Sequence, residues 1–203
     1  CLIMAVRRLS GPAPIVTSDD VPSEQGASHA GVIALIAAVQ AGIDGPTGWL
    51  GRSLGEQELE DSLPRFSRVI RLPYEPVIDI VSVVYRDADG VEQVVDESHY
   101  RLSGGNRCQF GTGFALPQTE CSADAVTITY KAGYAAEDVP ANAKQAVIIG
   151  VQQLKAMGAQ SLYLRQEDVE GVGSTVYTVS EAATQAVKAA TDMLLQPLRV
   201  YWI

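Results

Sequence analysis

The sequence is poor in cysteine and contains no long apolar run. Its three cysteines cannot all pair, and neither Cys108 nor Cys121 stands in a C-x-x-C spacing. We therefore expect reduced structural thiols rather than a disulfide or a metal site. No apolar run approaches the roughly 20 residues that a membrane helix needs, and the first residues lack the pattern of a secretory signal. These absences favour a protein that crosses no membrane and stays in the cytosol.

Basic residues are also scarce. The chain has 15 Lys and Arg against 24 Asp and Glu, which gives a formal net charge of -9 at pH 7. Duplex DNA is bound largely by Lys and Arg side chains that neutralise its phosphates, so this balance argues against a protein that wraps a face around DNA. It does not exclude DNA that passes close by. At 203 residues, of which 47% are apolar, the chain is long enough for one sizeable core.

Residues suited to catalysis are few and scattered. The chain has two histidines. His29 falls at a predicted helix start and His99 beside a predicted strand, and neither has a partner at a recognisable spacing. The G-x-G pairs at 111–113 and 171–173 do not lie between a strand and a helix, as a phosphate-binding turn requires. Residues 87–90 start like a calcium loop but lack its remaining ligands. We therefore expect no enzymatic activity, no cofactor and no metal ion.

The stretch 66–103 is predicted to form the central sheet. Val, Ile and Tyr crowd the runs 68–72, 77–86 and 91–95, and such side chains suit a pleated, half-buried surface. Turn residues at 87–90 predict a hairpin between the second and third runs. Strict alternation would place apolar side chains on both faces of the second run, so both faces are expected to be covered. The two predicted sets are Ile78, Ile80 and Val84 on one face and Val77, Val81, Val83 and Tyr85 on the other.

Helical periodicity appears in three places, once before the central sheet and twice after it. Capping residues, Pro and Gly mark the ends of each segment. The three predicted helices span 28–43, 140–158 and 178–196. The predicted buried stripe of the last helix consists of Ala183, Ala186, Val187, Ala190 and Leu194. Further strands are predicted at 98–102, 107–110 and 125–132, and loosely at 56–63.

Together these elements predict an α+β fold in which helices pack around a small antiparallel sheet or meander. Residues 1–27 show no period and are predicted to form an extended N-terminal arm, followed by a single domain at 28–203. Within that domain, 159–177 are predicted to be a long projecting loop that joins a C-terminal helix pair. The last residues, 198–203, are predicted to be a short tail.

Seven blocks of this sequence, taken in order, carry a resemblance that covers most of the chain. Each block alone is a common strand, turn or helix start, and it is the order that is specific. The chain resembles the head-tail connector, or adaptor, family of tailed bacteriophages and related prophages. The N-terminal arm is longer than the family pattern, and the length of the 162–177 segment varies within the family. The matching blocks are 49–54, 70–84, 85–90, 99–102, 127–134, 139–151 and 194–199.

The resemblance implies a virion structural protein at the head-tail junction, made in the host cytoplasm. It implies a homo-oligomeric ring, dodecameric in the family, that lies beneath the portal protein and completes the DNA channel. Tail or head-completion proteins would dock on the ring, and genomic DNA would pass through its lumen without sequence-specific binding. The resemblance implies no catalytic residue.

Two other functions remain open on the sequence alone. A tail-completion or tail-terminator protein would share the ring but bind the tail tube; the C-terminal helix pair argues against it, because tail terminators resemble folds dominated by sheet. An enzyme with an unrecognised site would need clustered polar residues of perturbed pKa in a pocket. No spacing in the sequence indicates such a cluster.

The tail after the last helix is the candidate partner-binding segment. Its candidate residues come after Pro197, the proline predicted to stop the helix, and are Arg199, Tyr201, Trp202 and Ile203. Trp, Tyr and Arg are enriched in binding hot spots. The alternative is that the tail packs into the core of its own subunit. The projecting loop, which we expect to be mobile in the free subunit, adds two further candidates. These are Tyr163 and Arg165.

Overall fold

A computed structural model of the chain describes residues 5–22, 29–159, 167–169, 173–175 and 181–201. The chain divides into two compact units. The first unit consists of Cys1–Ile15, Ala41–Val139 and Val200–Ile203. The second consists of Val16–Gln40 and Pro140–Arg199.

The first unit contains two antiparallel sheets. One has five strands in the order β1-β2-β8-β4-β5, and the other has three in the order β3-β7-β6. Every pair of neighbouring strands is antiparallel. The strands are β1 (Ala5–Arg8), β2 (Gln57–Leu63), β3 (Val69–Arg71), β4 (Val77–Arg86), β5 (Glu92–Val94), β6 (Tyr100–Ser103), β7 (Arg107–Phe110) and β8 (Val126–Ala132).

Alternation of side chains explains the core of this unit. Buried and half-buried residues alternate along β2 and along most of β8, as expected when one face of a sheet is packed and the other is wet. The buried face of the five-stranded sheet shares one apolar cluster with residues of the three-stranded sheet. Tyr130, the largest side chain of this cluster with no exposed surface, donates a hydrogen bond from its hydroxyl to the Pro73 carbonyl oxygen at 2.8 Å.

Strand β4 departs from the predicted alternation. Its pairing with β8 shifts register between Val77 and Asp79 and again between Ile80 and Ser82, so it carries two β-bulges, each adding one residue opposite a single partner. The buried residues of its first seven are therefore Val77, Ile80 and Val83, spaced by three. The predicted facing of β4 is wrong for this reason. Ile78, assigned to the same face as Ile80, is exposed, and so is Val81, assigned with Val77 and Val83.

A buried polar network links the end of β1 and the start of β2 to Asp44, the residue that follows the first helix. The Asp44 carboxylate accepts hydrogen bonds from the backbone amides of Leu54 and Gly55 at 2.8 and 2.9 Å and from Gln57 Nε2 at 2.8 Å. Arg8 donates from Nε to Gln57 Oε1 and from Nη2 to the Asp44 carbonyl oxygen, both at 2.8 Å. These bonds hold β1 at the sheet edge, so part of the predicted N-terminal arm is a paired strand.

The second unit contains the helices α2 (Ala141–Ala159) and α3 (Glu181–Leu195) and most of α1 (His29–Ile43). Helices α1 and α2 approach closely at Gly150, where an added Cβ would lie 2.8 Å from Val39 Cγ1. Helices α2 and α3 are joined by a hydrogen bond from Asn142 Nδ2 to the Leu194 carbonyl oxygen at 2.8 Å. The described part of the chain has three helices and small antiparallel sheets, which confirms the predicted α+β class.

Between α2 and α3 the structure describes a short antiparallel strand pair, β9 (Glu167–Val169) with β10 (Gly173–Thr175). It lies in the segment predicted to be a long projecting loop. The predicted mobility of that segment concerns residues that mostly lie outside the described part of the chain. The predicted helix stop at Pro197 agrees with the structure, because α3 ends at Leu195 and a single 3-10 turn follows at Gln196–Leu198.

Candidate interaction surfaces

The outer face of the five-stranded sheet carries a row of exposed and half-buried apolar side chains. The bulges place Ile78 and Val81 on this face with 44% and 39% of their surface exposed. Further along β4, half-buried Val84 is in register with Val94 of β5, which is 72% exposed. We call these four residues the sheet strip. Exposed apolar side chains on one face of a sheet are a candidate contact surface.

A groove of about 410 Å³ adjoins the sheet strip. On one side it is lined by Asp79 and Val81 of β4 and by Lys131 of β8, and on the other side by Tyr100 and Arg101 of β6. Asp79 and Lys131 are exposed and directly in register across the two strands. The groove therefore offers apolar surface beside paired charges of opposite sign, which suits a protein partner better than a small anionic ligand.

Helix α3 also has an exposed apolar face. Ala186, Ala190 and Met193 are exposed, and Met193 exposes 73% of its surface. Among residues 185–195 of α3, the half-buried or buried side chains are instead Val187, Thr191, Leu194 and Leu195; the burial of the predicted Ala183 lies outside the described residues. The predicted stripe is therefore wrong at Ala186 and Ala190. The sequence pattern could not separate the two faces, because alanine is compatible with both.

The sheet also contains one buried ionisable group without a partner. Asp61, on β2, has no exposed surface, and neither of its carboxylate oxygens has a hydrogen-bond partner among the described residues. Burial raises the pKa of Asp61 from its usual 3.8 to about 7. Such a group is a candidate acid or base when it lines a cavity, but neither of the two grooves described for this unit includes Asp61.

The histidines and the buried cysteine, the other residues suited to catalysis, pack against or bond to neighbours that offer no catalytic partner. His99 stacks on Phe114 with ring centroids 4.8 Å apart, and His29 Nε2 lies 3.3 Å from the Ser18 hydroxyl. Burial raises the pKa of the Cys108 thiol to about 12, which disfavours the nucleophilic thiolate. Among the described residues, no cluster of three or more His, Cys, Asp or Glu could hold a metal ion. None of the helices described there has the length and apolar character to cross a membrane.

The fold is similar to that of neck proteins of a gene transfer agent. A chain from the "Neck of empty GTA particle computed with C6 symmetry" matches with a TM-score of 0.65 and 18% identity, covering 98% of this chain and 97% of that chain. A chain from the native particle's virion matches with a TM-score of 0.61 and 20% identity over the same shares. A chain from the neck of the native particle computed with C12 symmetry has a TM-score of 0.52 and 20% identity, covering 85% of this chain and 81% of that one.

At such identities the likeness is one of fold. No protein-family model matches the chain, and neither does any curated protein sequence. The likeness nevertheless spans almost the full length of both chains, so it includes the helices as well as the sheets. The C-terminal helix pair is therefore part of the shared fold.

The candidate partner-binding residues predicted from sequence fall into two groups. Arg199 and Tyr201 are described and exposed, with 63% of the Tyr201 surface accessible. Just before Tyr201, the Val200 amide donates a hydrogen bond to the Leu50 carbonyl oxygen at 2.9 Å. The remaining candidates, Tyr163, Arg165, Trp202 and Ile203, lie outside the described residues. A binding role for all six stays a prediction.

Sequence reasoning missed both exposed surfaces. It noted that the 77–86 run was apolar on two sides, but it assumed that elements of the same subunit would cover both. The three-residue spacing of the buried Val77, Ile80 and Val83 reflects the bulges, since buried residues of a regular strand recur every two positions. The sequence does not single these three out, because Ile78, Val81 and Val84 are also apolar.

Proposed function

We propose that this protein is a structural component of the neck of a phage-like particle, a connector that forms a ring at the head-tail junction. The observation that carries the proposal is the fold likeness, over 98% of this chain, to a chain from the neck of a gene transfer agent and to a chain from its virion. The order of the sequence blocks resembles the connector family independently of that likeness. In this role the protein acts by assembly, and the proposal requires no catalytic group.

A ring requires two different complementary surfaces on each subunit, because each copy contacts a neighbour on either side. Exposed apolar residues lie on separate elements, in the sheet strip and on α3, so the subunit has surface for two different contacts. Similar chains come from necks reconstructed with sixfold and twelvefold symmetry. We propose a closed ring for this chain on the same grounds, dodecameric as the connector resemblance implies.

The charge of the chain suits a channel through which DNA moves. A net charge of -9 per subunit would be multiplied around a ring, and acidic groups at the lumen repel phosphates rather than hold them. DNA would then pass without sequence-specific binding. The proposed protein partners are a portal protein on one side of the ring and tail or head-completion proteins on the other.

Deleting the gene from the genome that encodes the particle would test this function. With a connector missing, heads and tails are expected to accumulate separately, and complementation with the intact gene should restore joined particles. Cryo-electron microscopy of those particles should show the protein as a ring between head and tail. Joined particles in the deletion strain would refute the proposal, and tails of altered length or ending would indicate a tail terminator instead.

The free protein is expected to be monomeric at micromolar concentration. The large exposed apolar side chains of the described residues lie on several separate elements, whereas a permanent oligomer buries about 2,000 Å² or more. The ring would then close when the portal holds neighbouring copies together. Light scattering of the purified protein tests this expectation, and a stable ring without portal would contradict it.

A further inference from the structure

We propose that the outer face of the three-stranded sheet of one copy binds the acidic hairpin end of the five-stranded sheet of the next copy, and that these ion pairs join subunits head to tail. We call the first surface the arginine face, and it carries Arg71, Arg101 and Arg107. The second surface is the acidic end, and it carries Asp87, Asp89, Glu92, Glu120 and Asp124. The inference deepens the proposed function and rests on it.

Strand register gathers the three arginines on one face. Arg71 of β3 and Arg107 of β7 are exposed, next to buried residues of the same strands, and they are directly in register. Arg101 of β6 is in register with Gln109 of β7 and donates a hydrogen bond from Nη2 to Gln109 Oε1 at 3.4 Å. Register partners, and residues two apart in one strand, share a face of a sheet. The three exposed guanidinium groups therefore lie on the same side.

The arginine face is basic in a chain that is acidic as a whole. Strands β3, β6 and β7 contain no Asp or Glu, whereas the chain has a net charge of -9. Like charges directly opposite each other, such as Arg71 and Arg107, lower the stability of a sheet. A partner that places carboxylates over this face would offset that cost, because the guanidinium fork matches a carboxylate in a bidentate way.

The β4–β5 hairpin and the segment before β8 supply such carboxylates. Arg86, the last residue of β4, lies 3.7 Å from Glu120 and 2.8 Å from Asp124 and is in register with Glu92. A Cβ on Gly90, in the hairpin turn, would lie 3.8 Å from Glu120 Oε2. The turn that carries Asp87 and Asp89 is therefore close to the same carboxylates.

These carboxylates outnumber the basic residues near them, which are Arg86 and Arg65. Asp89, Glu92 and Asp124 are exposed. A hydrogen bond from the Val91 amide lowers the pKa of Asp87, and one from the Ser122 hydroxyl lowers the pKa of Asp124. Both groups are therefore ionised at neutral pH, and the acidic end offers several negative charges to a partner.

The two surfaces lie toward opposite ends of β4. The Gly105 carbonyl oxygen, in the β6–β7 turn two residues before Arg107, accepts a hydrogen bond from the amide of Val77, the first residue of β4, at 3.2 Å. The acidic end surrounds Arg86, the last residue of this ten-residue strand. At a rise of about 3.3 Å per residue the ends of β4 are roughly 30 Å apart, beyond the distance over which salt screens exposed charges. The two surfaces therefore do not neutralise each other within one subunit.

A second copy fits the arginine face better than duplex DNA does. Three arginines neutralise few phosphates, and the remaining acidic charge of the chain repels the duplex. A second copy presents carboxylates that are already clustered. Because the arginine face and the acidic end differ, the contact is heterologous, and each copy that binds one neighbour still offers its other surface to another.

Carbodiimide cross-linking tests the contact in the full-length protein. The reagent joins a carboxylate to a lysine amine that touches it, and arginine does not react. Arg101→Lys and Arg107→Lys, combined in one chain, keep the charge and add the amines. At high protein concentration and low ionic strength we expect a ladder of dimers and larger species, in which mass spectrometry finds β6 or β7 peptides joined to peptides of the acidic end.

Two controls accompany this experiment. The wild type has the same charge without the added amines and should lack these cross-links. Arg7→Lys places an amine at an exposed position of β1, beside Glu60 of the same chain, and should give cross-links within one chain but no ladder.

Charge reversal gives a second readout, by sedimentation equilibrium at low ionic strength. The face variant carries Arg101→Glu and Arg107→Glu, and the end variant carries Asp89→Lys and Glu92→Lys. Each variant alone should associate at least about threefold more weakly than the wild type, the size expected of exposed ion pairs. Mixing the two should restore association between unlike copies, because the face variant keeps its acidic end and the end variant keeps its arginine face. Circular dichroism melts establish that each variant folds.

A ladder no larger than that of the wild type would overturn the proposed contact, and so would a mixture that associates as weakly as the separate variants. If the face variant loses affinity for duplex DNA while its self-association is unchanged, the arginine face contacts DNA and the proposed contact is wrong. The function is judged separately, by electron microscopy of assembled particles. If joined particles contain the ring while the cross-linking fails, the connector function stands and this contact is wrong. If the wild-type protein is absent from the junction, the proposed function itself fails.

Discussion

Replacing Asp61 with asparagine is expected to make the stability of the fold less dependent on pH. Asp61 is fully buried among the strands of the five-stranded sheet, in register with Val6 of β1 and Ile128 of β8. Its carboxylate finds no hydrogen-bond partner among the described residues. Ionising it therefore leaves an uncompensated buried charge, and for this reason its pKa is raised from 3.8 to about 7.

The sign of the effect follows from the direction of this shift. Between about pH 4 and pH 7 the unfolded chain loses the Asp61 proton while the folded chain keeps it, so the free energy of unfolding falls as pH rises. Each pH unit in this window lowers the free energy of unfolding by about 1.4 kcal/mol. A shift from 3.8 to about 7 therefore amounts to at most about 4 kcal/mol, lost by pH 8. Relative to the wild type, Asp61→Asn should gain most of this amount at pH 8 and little at pH 4.5.

Urea denaturation at a series of pH values from 4.5 to 8 measures the difference directly. For a chain of this length, 4 kcal/mol corresponds to a rise in the thermal midpoint of about 8 to 16 °C. Asp89→Asn, in the exposed turn after β4, is the matched control and should leave the pH profile unchanged. If Asp61→Asn and the wild type keep parallel profiles across this range, burial of an unpartnered charge is not what controls the stability of this sheet.

Three further changes test the packing and the tail. Gly150→Ala should lower the free energy of unfolding, measured in urea, by about 1 to 3 kcal/mol because the new Cβ meets Val39. Its control, Gly42→Ala, has open space around the new Cβ and should raise that free energy by up to about 1 kcal/mol. Gly133→Ala should lower the free energy of unfolding by about 3 kcal/mol or more because the new Cβ overlaps the backbone carbonyl of Gly55. Its control, Gly105→Ala, is strained only by its φ of +80 and should lower that free energy by about 1 kcal/mol. Deleting residues 200–203 should keep the thermal midpoint but prevent incorporation into portal-containing heads; an unfolded truncation would show instead that the tail belongs to the core.

The helices could be predicted from sequence because their buried stripes are local. Val32, Ile36 and Ile43 lie on one side of α1 and are all buried, as the period of 3.6 residues requires. The same reasoning failed on α3, where alanine supplies most of the pattern. An alanine contributes little transfer free energy on either face, so the direction of α3 is decided by Val187 and Leu194 and by the bond from Asn142.

The strands of the sheet could be predicted from sequence, but the side chains that β4 exposes could not. Residue types identify β4 and β8, yet the two bulges in β4 depend on its pairing with β8, more than forty residues away in the chain, and no local pattern specifies that register. The pairing of β1 with β2 is equally non-local, which is why Ala5–Arg8 was taken for part of an arm. The exposed strip follows from the bulges and could not be foreseen without them.

The close approach of Val39 to Gly150 also bears on how the chain is made. Helix α1 leaves the ribosome roughly a hundred residues before the glycine that receives it, an interval of about 5 to 20 s at ordinary rates of synthesis. During that time α1, which has no Lys, Arg, Asp or Glu from His29 to Ile43, lacks the close approach between Val39 and Gly150 of α2. We therefore expect newly synthesised chains to be bound by a chaperone at this stage. Translation that stalls before Gly150 should give aggregates rather than a soluble fragment.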